Sequence, residues 1–142
     1  MKHLEDCVLD HIAVATADIE SSVKLYEALG INFEDKREIV ESQQVKTAFG
    51  AIDENAHIEL LEPISSEGAI AKFLDTKGGG IHHLCFRVKD VEKKQKELEA
   101  SGMKLIYEKP FIGAGNCLVN FIHPKSMNGV LVEISQKLEE KK

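Results

Sequence analysis

The chain repeats itself, and that repeat limits what it can fold into more than any other feature. At an offset of 72 residues His11 falls on His83, Asp18 on Asp90, Ile19 on Val91 and Gly30 on Gly102. The positions that agree are the ones with structural jobs. Leu9, His11 and Ala13 share one side of a period-two run while Val8, Ile12 and Val14 share the other, the pattern of a strand between two chemically different surfaces. In the second copy Ile81, His83 and Cys85 share the side that carries the histidine. Asp18 and Asp90 stand where a short carboxylate caps the free N–H groups of a helix's first turn. Gly30 and Gly102 stand where such a helix ends in a left-handed residue. Extended segments are expected near residues 31–40 and 103–109.

The ends of the two copies match as well. HIELLEP around Glu59 and VLVEIS around Glu133 are both strand-like, but their offset is 74. Two extra residues are therefore expected in the second half, and the glycine-containing FIGAGN stretch is the place a length change would cost least. Between the copies, SSEGAIAKFLDTKGGG reads as a capped linker helix over 65–77, with Ile70, Phe73 and Leu74 on one side and a glycine stop. The expectation is an α+β domain over 1–142, made of two tandem βαβββ modules, 7–62 and 80–136. One four-stranded module cannot bury its open face alone, so two are expected to pack together and leave a cleft.

Each module carries a histidine on its first strand and a glutamate on its last. One histidine on an amphipathic strand is usually just hydrogen-bonded, and one strand-end glutamate is usually solvated. The equivalence of His11 with His83 and of Glu59 with Glu133 makes a single metal site the simpler explanation. Two imidazoles and two carboxylates suit Co²⁺, Mn²⁺, Ni²⁺, Zn²⁺ or Fe²⁺, and without thiolates they do not resemble a closed structural zinc site. Both glutamates lie in otherwise apolar strands, where an unpaired carboxylate would be expensive. His57 shares a strand face with Glu59 and is positioned to orient it or to sit in solvent. His82 points opposite His83, and neither His3 nor His123 has a motif around it.

Other chemistries find little support. A formal charge of −6 and a pI near 5.5 argue against nucleic-acid binding. The mixed-sign KLEEKK tail reads as solvated. Three scattered cysteines with no CxxC pair, and an N-terminus without a long apolar run, give the expectation of a cytoplasmic protein with no membrane span or signal peptide. Neither GAG nor GGG fits a nucleotide-binding loop, and no serine sits in a nucleophile elbow.

The stretches LDHIAVA, IELLEP, IAKFL, GGGIHHLCFRV, NFIHPKS and GVLVEI cover nearly the whole chain. In them the sequence resembles the vicinal oxygen chelate superfamily (glyoxalase/bleomycin resistance/dioxygenase), and within it the methylmalonyl-CoA epimerase family. The resemblance implies a glyoxalase-like fold with a metal cleft, and one divalent metal per chain held by His11, Glu59, His83 and Glu133. It implies interconversion of (2R)- and (2S)-methylmalonyl-CoA through a metal-stabilised enolate, with Glu133 taking the C2 proton. A homodimer and a coenzyme A thioester substrate follow from the same likeness, with Lys125 of HPKS near the charged end of the coenzyme. Some members of the family carry a second glutamate on the second strand, where this chain has Thr47. The proton for the opposite face would then come from Glu59, a metal-bound water or another group. Lactoylglutathione lyase and a non-catalytic ligand-binding protein are the alternatives on the same fold.

Overall fold

The computed structural model describes residues 6–139, so His3 and the end of the KLEEKK tail lie outside the described residues. The elements run β1 (Cys7–Ala15), α1 (Ile19–Glu27), β2 (Asn32–Phe33), β3 (Glu38–Val40), β4 (Val45–Ala51) and β5 (His57–Pro63). Then come α2 (Ala69–Lys77), β6 (Gly80–Val88), α3 (Val91–Ala100), β7 (Phe111–Gly113), β8 (Cys117–Ile122) and β9 (Val132–Lys137). The chain forms two compact units. One is His11–His82; among the described residues the other joins 6–10 to 83–139.

In the first unit the strand order is β2-β4-β5-β1, with β3 also on β4. β5 runs antiparallel to β4 and parallel to β1. Alternation along these strands sorts the side chains into two layers. Val14, Ala48, Ile58 and Leu60 pack on Ile19 and Val23 of α1, while Ala13, Ala15, Val45 and Leu61 pack on Ile70, Phe73 and Leu74 of α2. The linker helix thus turns the expected face inward, but it starts at Ala69 behind Gly68 and has no side-chain cap.

The second unit repeats the order as β6-β9-β8-β7. Phe86 and Val88 of β6, Ile122 of β8 and Val132 and Ile134 of β9 pack with Val91 and Leu98 of α3. The repeat extends to single contacts. Phe33 pairs with Gly50, and the residues 72 further on, Leu105 and Ile122, form an isolated bridge. That bridge is all that remains of β2 in the second copy, so the extended run expected over 103–109 is not a strand, and β7 follows it.

Register also moves the two extra residues. Phe49 pairs with Glu59, and Phe121 pairs with Glu133. The offset is still 72 at the phenylalanines and is 74 at the glutamates, so the insertion lies between β8 and β9. Seven residues separate Gly50 from its partner Ile58, and nine separate Ile122 from Val132. The FIGAGN turn is in fact the shorter of its pair, with three residues between Gly113 and Cys117 against four between Val40 and Val45. Glycine suggested a tolerant loop, but the length change went to the turn that contains HPKS.

Both helices begin and end as their sequences imply. The Asp18 carboxylate accepts from the backbone N–H of Glu20 and Ser21 at 3.1 and 3.2 Å, and Asp90 accepts from Lys93 at 3.0 Å. Gly30 and Gly102 take φ of +101° and +90°, the left-handed region that ends a helix cheaply only at glycine. A further cap, not foreseen, comes from the last strand of each copy. Glu62 accepts from the Ile19 N–H at 2.9 Å, and Gln136, 74 residues on, accepts from the Val91 N–H at 3.0 Å.

Candidate metal centre

Parallel pairing of β1 with β5 sets Ala13 beside Glu59 and His11 beside His57. Directly paired residues share a sheet face, so His11, His57 and Glu59 project from the face that carries Ala13, Ala15 and Leu61. His11 and Glu59 are both buried, and His11 Nε2 lies 3.0 Å from Glu59 Oε2. The half-buried His57 ring lies 5.1 Å from the His11 ring and 5.3 Å from that of Phe49.

The second unit builds the same pair. Cys85 lies beside Glu133 across β6 and β9, which aims His83 and Glu133 from one face. Both are buried, and His83 Nε2 is 3.1 Å from Glu133 Oε1. Phe121 closes edge-on against His83 at 5.5 Å, and the Cys85 thiol donates to Ser135 Oγ at 3.4 Å.

The remaining residues sort clearly. His82, alternating with His83, packs its ring edge-on against Phe73 at 5.0 Å. His123 Nδ1 accepts from the Lys125 N–H at 3.1 Å and so caps the turn Pro124–Ser126, while the Lys125 side chain is exposed. Thr47 is fully buried, and its hydroxyl donates to the Glu38 carbonyl at 3.1 Å across the β3–β4 ladder. Its proton thus holds an edge strand. Asn120 and Gln95, both buried, form a polar knot that sequence reasoning passed over. The Asn120 amide donates to Gln95 Oε1 at 2.7 Å and to the Tyr107 carbonyl at 2.9 Å.

Each copy therefore supplies one buried imidazole–carboxylate pair. Such donors fit a borderline divalent ion. Burial of both carboxylates is consistent with that, because each must be matched by positive charge or hydrogen bonds. The family model of the Glyoxalase/Bleomycin resistance protein/Dioxygenase superfamily matches residues 10–121, and that superfamily is the class the fold and its paired donors define. Its members' chemistry implies a divalent metal.

The mitochondrial methylmalonyl-CoA epimerase of Dictyostelium discoideum is 41% identical over 131 residues, 91% of this chain and 78% of the relative. The crystal structure of methylmalonyl-CoA epimerase from Mycobacterium tuberculosis superimposes with a TM-score of 0.87 at 36% identity, covering 92% of this chain and 88% of that one. A Streptomyces coelicolor methylmalonyl-CoA epimerase in complex with 2-nitronate-propionyl-CoA gives a TM-score of 0.87 at 30% identity, over 92% and 97% of the two chains. The chain belongs to the methylmalonyl-CoA epimerase family of this superfamily.

Proposed function

We propose that the chain interconverts (2R)- and (2S)-methylmalonyl-CoA, with His11, Glu59, His83 and Glu133 as the ligands of one divalent metal. The duplicated buried His–Glu pair, in a chain of this family, is the observation that carries the proposal. The C2 proton of the substrate is acidic because it lies between a thioester carbonyl and a carboxylate. A bound divalent ion supplies the positive charge that stabilises the thioester oxygen as that proton leaves. Glu133 accepts the proton. The His83 imidazole, 3.1 Å away, holds the orientation of its carboxylate. Glu59, the equivalent carboxylate in the other copy, is the first candidate to serve the opposite face. Thr47 is not such a donor, since its hydroxyl is committed to the Glu38 carbonyl.

Exposed Lys125 is proposed to meet the anionic end of the coenzyme. Cytoplasmic location, a homodimer and the lack of nucleic-acid or membrane partners belong to the same proposal. The charge of −6 supports the lack of nucleic-acid partners, and the exposed Leu25 of α1 and Leu29 just beyond its end support the dimer. Among the described residues no helix is long and apolar enough to cross a membrane. The experiment is an assay of metal-loaded protein with each methylmalonyl-CoA epimer and, in parallel, with the glutathione hemithioacetal of methylglyoxal. Equilibration of the two epimers is expected, with Lys125→Ala raising KM at unchanged kcat. Turnover of the hemithioacetal alone would instead make the chain a lactoylglutathione lyase.

A further inference from the structure

Internal symmetry makes the two His–Glu pairs equivalent, but their surroundings are not. On β5 the residue two before Glu59 is His57; on β9 the residue two before Glu133 is Leu131. The first copy therefore places a second imidazole beside its ligand pair, where the second copy has only an aliphatic side chain. Phe49 packs on His57 in the first copy, and its equivalent Phe121 packs on His83 in the second.

One donor atom each from His11, His57 and Glu59 lies within 4.8 Å of the others. Donors about 2.1 Å from a tetrahedral ion are about 3.4 Å apart, so closing the set needs side-chain movements of roughly 1.5 Å or less. His57 is half-buried, while His11 and Glu59 are buried. Two imidazoles and one carboxylate are a complete three-ligand set for a divalent transition ion.

We propose that His57 is an additional metal ligand, and that with His11 and Glu59 it forms a three-donor site within the unit His11–His82. This rests on the metal reading above and deepens it. The N-terminal copy captures the ion on its own three donors, and the C-terminal pair completes its coordination. The duplicated halves have thus diverged in metal affinity, and His57 is where they differ.

The test uses cobalt(II) as the probe, titrated into the full chain and read by its visible d–d absorption and by calorimetry. His57→Leu, the residue type at its counterpart, is expected to weaken cobalt binding by at least about tenfold, the lower range seen when even an outer partner of a ligand is removed. It is also expected to change the d–d spectrum. His57→Gln controls for folding and should show the same loss. The double variant His83→Leu/Glu133→Leu is expected to keep one weaker cobalt, which addition of His57→Leu abolishes. If the parent binds cobalt while His57→Leu and His57→Gln match its affinity and spectrum, the inference fails and the four-ligand reading stands. A double variant that binds no cobalt while retaining parental circular dichroism also overturns it. A parent that binds no cobalt defeats both.

Discussion

Glu59 and Glu133 are related by the internal repeat and lie at nearly the same distance from their histidines, 3.0 and 3.1 Å, yet the proposed chemistry asks different things of them. Glu133→Gln keeps the side-chain length and a ligating oxygen but cannot accept the C2 proton. Turnover is expected to fall by about 10²–10⁴-fold, the usual worth of a general base, while metal binding weakens but persists. Glu59→Gln is expected to leave exchange of the proton taken by Glu133 largely intact, since a glutamine carbonyl still ligates, and to slow only proton delivery to the opposite face. Exchange of the C2 proton with deuterated solvent, at matched metal content, measures the step directly. Exchange at the parental rate in Glu133→Gln would leave Glu133 as a ligand only. The two buried His–Glu pairs were legible in the sequence because duplication printed the histidine and the glutamate once in each copy. His57 was ambiguous for the opposite reason: lacking a copy, it could be told from a solvated edge histidine only by the ring contacts that folding creates.

Helices α1 and α3 show how much of an element its sequence can encode. Asp18, Asp90, Gly30 and Gly102 act within a few residues of themselves, and all four do what their types imply. The caps from Glu62 and Gln136 cross 43 and 45 residues of sequence, and no local pattern announces them. The extended segment expected near residues 31–40 divides into β2 and the three-residue β3, a break that runs so short, with no measurable period, do not announce. The Asp18 cap gives a pH signature. Hydrogen bonds from the Ser21 side chain and from the backbone of Ser21 and Glu20 hold its carboxyl below the usual aspartate range. A pKa depressed in the folded state contributes stability that is fully present above the unfolded value and is lost as pH falls through the folded one. Asp18→Ala is therefore expected to lower Tm at neutral pH, with the gap to the parent narrowing once the pH drops below the ordinary aspartate pKa. Thermal melts of both proteins from neutral to strongly acidic pH check this. A gap that stays constant to the acid limit would show that the Asp18 charge plays no part.

At the scale of the whole chain, the distribution of apolar side chains decides what the metal is for. Each unit has its own core: Ile19, Val23, Ala48, Ile58 and Leu60 beneath α1, and Val88, Val91, Leu105, Ile122, Val132 and Ile134 beneath α3. None of these residues is a proposed ligand. The fold should therefore not depend on metal as a zinc finger's does, where binding free energy is folding free energy. Chelation is expected to abolish epimerisation while leaving far-ultraviolet circular dichroism and the cooperative melt in place. Tm should nevertheless drop, because an ion that binds only the folded chain stabilises it by mass action; this is worth about 2.7 kcal/mol when free metal is a hundredfold above Kd. Re-addition of metal should restore both activity and Tm. Sedimentation of the same samples is expected to give the mass of two chains with and without metal, since exposed Leu25 and Leu29 are not part of either His–Glu pair. Full activity in chelator at no detectable stoichiometric metal would remove the ion from the mechanism. Loss of the cooperative melt on chelation would instead mean that the two apolar cores do not suffice, and that the buried carboxylates Glu59 and Glu133 cost more without a cation than their histidine partners return.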